Sequence, residues 1–75
     1  MIKQGQIYRE KNPPYFRKDE GLFIVSYMLF TNVWIIYQNG MTDRVGFDWI
    51  KKDCALLAEF DTWQEAIKHL NNNGE

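Results

Sequence analysis

A chain of 75 residues with 45% hydrophobic and 25% charged side chains reads as one small globular domain over residues 1–75, with no room for a second. The net charge of −1 argues against a molecule built as a nucleic-acid magnet. The one cysteine, Cys54, excludes an intramolecular disulfide.

A chain this short buries only about 60% of its unfolded surface, so large side chains must supply the stability. Three Trp, four Tyr and five Phe do so, each able to bury roughly 150–250 Å². The opening MIKQGQIY lacks the apolar segment of a signal peptide, and no Asn-X-Ser/Thr sequon occurs. The expected setting is a reducing cytoplasm. Charge is unevenly spread: residues 1–18 carry Lys3, Arg9, Lys11, Arg17 and Lys18 against Glu10, while residues 53–65 carry Asp53, Glu59, Asp61 and Glu65 with no base. These two segments are expected to attract each other in the fold.

In chain order, Gln6–Glu10 alternates polar and apolar residues and reads as a first strand. Lys11–Gly21 contains Asn12-Pro13-Pro14, which cannot lie in a central strand, and is read as a loop. Around it Tyr8, Tyr15 and Phe16 interleave with Arg9, Lys11, Arg17 and Lys18. Aromatics beside bases can stack on nucleotides and neutralise phosphates, or they can pack the loop onto the domain while the charges stay wet. The second reading is preferred.

Leu22–Tyr37 holds no charge. It is shorter than the about 20 apolar residues of a membrane helix, and its β-branched and aromatic content favours strands. Thr31-Asn32 is read as a two-residue turn between strands Leu22–Phe30 and Val33–Gln38. Asn39-Gly40 is read as a type I′ turn leading to a third strand, Met41–Phe47. Simple alternation puts Leu22, Ile24, Met28 and Phe30 on one face and Phe23, Val25, Tyr27 and Leu29 on the other. Both faces are then apolar, so the second is either covered within the chain or open to a partner. Tyr27, Trp34 and Tyr37 are the candidate residues of an apolar binding surface.

A short helical turn at about Trp49–Lys52 precedes a last strand, Cys54–Phe60. The clearest element follows. Thr62 and Glu65 form a capping box, and Trp63, Ala66, Ile67 and Leu70 fall on one face of a helix over about residues 62–71. Asn71-Asn72-Asn73-Gly74 ends it. The fold class is therefore mainly β, a five-stranded antiparallel barrel or curled sheet over residues 3–60 with one C-terminal helix.

The segments Lys3-Gln4-Gly5-Gln6-Ile7-Tyr8-Arg9, Phe23-Ile24-Val25, Trp34-Ile35-Ile36-Tyr37-Gln38-Asn39-Gly40, and Phe47-Asp48-Trp49-Ile50 before Cys54-Ala55-Leu56-Leu57 carry a resemblance. Across residues 3–60 the chain resembles the small SH3-like barrel proteins of bacteriophages and bacterial mobile elements. The resemblance implies an SH3-like fold and either protein or nucleic-acid binding, and it supplies no ligand-binding motif.

Catalytic chemistry is not expected. One Cys and one His lie far apart in the chain, and Asp43, Asp48 and Asp53 match no calcium-loop spacing. Cys54 reads as a small core residue and His69 as a solvated helix residue. The five glycines are scattered and form no phosphate loop. No metal or cofactor is expected. The reading of choice is a non-catalytic protein-interaction module, an accessory or inhibitor protein of a phage or mobile element. A nucleic-acid-binding barrel using residues 8–21 is the alternative, and a homo-oligomer that covers the second sheet face is a third. A membrane role is not expected.

Overall fold

The computed structural model describes residues 1–11 and 21–73. Five strands and two helices follow in the order β1 Gln6–Glu10, β2 Leu22–Leu29, β3 Asn32–Tyr37, β4 Thr42–Gly46, α1 Phe47–Asp53, β5 Cys54–Glu59 and α2 Trp63–Asn73. All strand pairs are antiparallel, in the order β4-β3-β2-β1-β5. The mainly-β expectation therefore holds, but the sheet is open and not a closed barrel. Closure would require the edges β4 and β5 to pair. Instead α1 joins them and packs against both. Of the two segments of opposite charge, the described strands β1 and β5 are paired.

A second helix is the other difference from the sequence reading. The expected turn at Trp49–Lys52 is a seven-residue helix. It takes Phe47 away from the third strand of the meander, because Phe47 and Ile50 fall on one helix face, half-buried and fully buried. Asp48 in its first turn and Lys51 and Lys52 in its last suit the helix dipole.

Each face of the sheet is covered over part of its length. One face carries Tyr8, Phe23, Val25, Val33, Ile35 and Tyr37, closed by Ile50 of α1 and by Ile2. Phe23 lies between the rings of Tyr8 and Trp49, stacked at 5.9 and 5.7 Å, with Tyr37 edge-on at 6.1 Å. The other face carries Leu22, Ile24 and Ile7 beneath Ala66 and Leu70 of α2, with Trp63 and Ile67 at the margin. The capping box is present in altered form. Thr62 Oγ1 accepts from the Glu65 amide at 3.2 Å, while the Glu65 carboxylate accepts from the Thr62 hydroxyl at 3.3 Å.

Two side chains near the start of the chain tie these layers together. Gln4 Oε1 accepts from the Trp63 amide at 2.9 Å, satisfying an orphan donor at the start of α2, and its Nε2 donates to the Asp61 carbonyl. Gln6 is fully buried and uses all its capacity. Its Nε2 donates to the Met1 carbonyl and to Glu59, and its Oε1 accepts from the Lys3 amide and the Tyr8 hydroxyl. Between them Gly5 sits at φ +92°, where an added Cβ would lie 2.3 Å from the Phe60 carbonyl oxygen. Only glycine fits there.

Both hairpin turns differ from expectation. Leu29 pairs with Asn32, so the first turn is Phe30-Thr31, one residue earlier than expected, and Phe30 takes φ +56°. In the second, Gly40 has φ +93° and Asn39 is not left-handed, which excludes type I′. The Gly40 amide donates to the Tyr37 carbonyl, and the Tyr37 amide donates to the Met41 carbonyl. This is a three-residue loop with glycine at the left-handed position.

Candidate functional site

The phase of β2 decides which side chains reach the surface. Val25 pairs with Ile35, but the next paired residue is Tyr27, opposite Trp34. Ser26 is the extra residue of a β-bulge, and its hydroxyl donates to the Trp34 carbonyl at 3.0 Å. An added residue inverts the alternation of everything beyond it. Met28 therefore joins Phe23 and Val25 on the α1 face and packs on that core. Tyr27 and Leu29 join Leu22 and Ile24 on the α2 face, reversing the assignment read from simple alternation.

The helix does not reach them. α2 packs on β1 and the first half of β2, and its apolar partners stop at Ile24. Beyond the bulge the same sheet face is bare: Tyr27 is 55% exposed, Leu29 46% and Phe30, at the turn, 88%. Trp34 is half-buried and meets Tyr27 ring to ring at 5.4 Å with a tilt of 49°. Register adds Asn32, Thr42, Arg44 and Gly46 to this face, with Arg44 directly opposite Trp34. Arg44 is the one charged residue among those positions. Asp43, its neighbour on β4, stands opposite Ile35 on the other face, and its carboxylate accepts from the Arg44 amide at 2.7 Å.

Of the residues expected at an apolar surface, Tyr27 and Trp34 are brought together and Tyr37 is not. Tyr37 is 6% exposed and belongs to the core, because its position on β3 places it with Val33 and Ile35 on the α1 face. Leu29, Phe30 and Arg44 were not among the expected site residues. The one signal available for the first two was Ser26, the polar residue interrupting an apolar strand.

The basic-aromatic segment divides differently. Tyr8 is buried against Phe23, so it is a core residue and not a stacking platform. Burial, followed by the nearby Glu59 and Cys54, raises its hydroxyl pKa above the ordinary value. Arg9 is exposed, and Lys11 is exposed with its Nζ 3.4 Å from the Lys52 carbonyl. Tyr15, Phe16, Arg17 and Lys18 lie outside the described residues.

Two of the clefts among the described residues flank the sheet. The larger, about 500 Å³, lies between Ile2, Tyr8, Phe47, Ile50, Cys54 and Leu56. The smaller, about 180 Å³, lies between the end of α2 and the β3–β4 turn. Cys54 is buried beside the larger one. Burial above all, then Glu10 and Asp53, push its thiol up to about 12, which keeps it protonated and a poor nucleophile at neutral pH. His69 is exposed and lies against the Phe60 ring at 4.9 Å. No group of three potential metal ligands occurs among the described residues. No helix among them is long and apolar enough to cross a membrane. No protein-family model, curated protein or solved structure matches the chain.

Proposed function

We propose that this protein is a small non-catalytic module that binds another protein through the platform formed by Tyr27, Leu29, Phe30 and Trp34. The observation that carries the reading is Phe30: a bulky ring, almost fully exposed, at a turn position with φ +56°. Asn or Gly would hold that backbone at lower cost. A strained and solvated aromatic contributes little to folding, so its contribution is sought in binding. Tyr, Trp and Arg are also the residue types that most often dominate interface energies.

The strand order β4-β3-β2-β1-β5 with a helix before β5 supports an SH3-like arrangement in open form. With that label stands the further proposal of an accessory or inhibitor role in a phage or mobile element. A cytoplasmic setting fits a buried, protonated thiol at Cys54.

The test compares the wild-type chain with a Tyr27→Ser/Leu29→Ser variant, both immobilised and exposed to native host extract with and without nuclease. A protein retained by wild type, insensitive to nuclease and lost with the variant is the expected result. Retention by both forms would move the site elsewhere. A second arm titrates labelled DNA and RNA at about 150 mM salt. Binding no tighter than about 10⁻⁴ M is expected, as for non-specific contact. Micromolar binding lost with Arg17→Glu/Lys18→Glu would overturn the reading in favour of the basic segment.

A further inference from the structure

Resting on that reading, we propose that the hairpin platform takes a short acidic segment of its partner, with one large apolar residue seated on Tyr27, Leu29 and Trp34 and a carboxylate on Arg44. Two observations select this occupant. The first is charge. On the bare part of the α2 face every other register position of β2, β3 and β4 is uncharged, and Arg44 stands directly across from Trp34. Among the described residues at these register positions Arg44 is the one that carries a charge, and Asp43 takes a position on the opposite face by register, its carboxylate bonded to the Arg44 amide. A basic segment would meet a like charge at Arg44, whereas a carboxylate meets a planar, two-pronged donor.

The second is size. Tyr27 and Phe30 are 55% and 88% exposed and Leu29 46%. With an aromatic side chain covering about 150–250 Å², this patch offers roughly 300–400 Å², no more than half of the about 800 Å² per partner of a stable globular interface. A second copy of the chain docking here would fall short of that area. A few residues of an extended segment can be seated on an area of this size. The adjacent edge of β4 is less suited to receive an added strand, because the Arg44 amide, which points away from β3, is already occupied by Asp43 Oδ1. That alternation follows from the bonds of Tyr37 to Met41 and of Phe47 to Thr31 at either end of the β3–β4 ladder. The segment is therefore expected to be held mainly by side chains.

The experiment pans a random dodecapeptide display library against the immobilised full chain, then against folded Trp34→Ala, Tyr27→Ala and Arg44→Glu variants checked by circular dichroism. Wild type should enrich peptides that combine Asp or Glu with Trp, Phe or Leu. Arg44→Glu should weaken a recovered acidic peptide about two- to five-fold, within the range of one exposed charge pair, and should itself enrich basic peptides. Trp34→Ala and Tyr27→Ala should each abolish enrichment. If those two variants abolish enrichment while Arg44→Glu leaves the selected charge unchanged, the platform stands and the acidic partner is refuted. Enrichment that survives all three variants refutes the platform as well. An absence of enrichment on wild type refutes a short segment as the occupant, while the extract experiment still reports on the platform.

Discussion

The two ends of the β2–β3 hairpin are made of similar residues and have different surroundings. At the base, Phe23, Ile24, Val25 and Ile35 are buried between α1 on one side and α2 on the other. At the tip, Tyr27, Leu29 and Phe30 stand in solvent, although they are as apolar as the residues below them. What separates the ends is one inserted residue, Ser26, and the reach of an eleven-residue helix. At about 1.5 Å rise per residue α2 is only about 16 Å long, and it lies over the base. Burial at the base answers the needs of folding. Exposure at the tip leaves apolar area available to another molecule, and the difference can be tested one end at a time.

The largest effect is expected at the base. Phe23→Ala removes the middle ring of the Tyr8–Phe23–Trp49 stack and should cost about 3–5 kcal/mol in urea unfolding. A domain this short lies near the low end of stability, about 5 kcal/mol in all, so partial unfolding at room temperature is the expected outcome. A cost near 1 kcal/mol would mean that the base is not the core. Trp63→Ala strips the start of α2 from Ile7 and Ile24 and should cost somewhat less, about 2–4 kcal/mol, because the indole is half-buried. No measurable cost would show that α2 does not cover this end.

A pH titration sharpens the same contrast. The Cys54 thiol is raised from the ordinary value of 9.0 to about 12 in the folded chain. A group whose folded pKa is raised contributes stability that is fully present below the unfolded value and lost as pH rises toward the folded one. Unfolding free energy should therefore decline between about pH 9 and about 12. Tyr8 acts in the same direction, since its pKa is also raised. The decline measured for wild type should be steeper than for Cys54→Ala, and equal slopes would contradict burial of the thiol.

At the tip the sign changes. Phe30→Asn should leave stability unchanged or raise it by up to about 1 kcal/mol, since Asn tolerates the left-handed turn position better than Phe. Tyr27→Ala should cost under about 1 kcal/mol, chiefly the ring contact with Trp34. A large loss from either would make the tip part of the folding core.

Much of this architecture was legible in the residues. β1 was placed at its observed bounds, and the capping box with Trp63, Ala66, Ile67 and Leu70 located α2 and its packed face. These features are local: a period, a cap, a turn residue. What was not legible depends on non-local choices. The bulge at Ser26 arises from the pairing of β2 with β3, and no composition rule marks the residue at which a ladder slips. The same slip moved Met28 to the core and Leu29 to the surface. Tyr37 looked like a surface aromatic until the register placed it beside Phe23. The open sheet was hidden for a similar reason, since whether β4 meets β5 depends on α1 lying between them.

The most direct test of the whole account is an amide NMR titration of the ¹⁵N-labelled chain with a peptide recovered from the library. Binding at the platform predicts shift changes confined to Tyr27–Trp34 and to Arg44 and its β4 neighbours, with Phe23, Val25 and Ile50 unmoved. Changes centred on the cleft of Ile2, Phe47 and Leu56, or on residues 8–21, would contradict the assignment of binding to the hairpin tip.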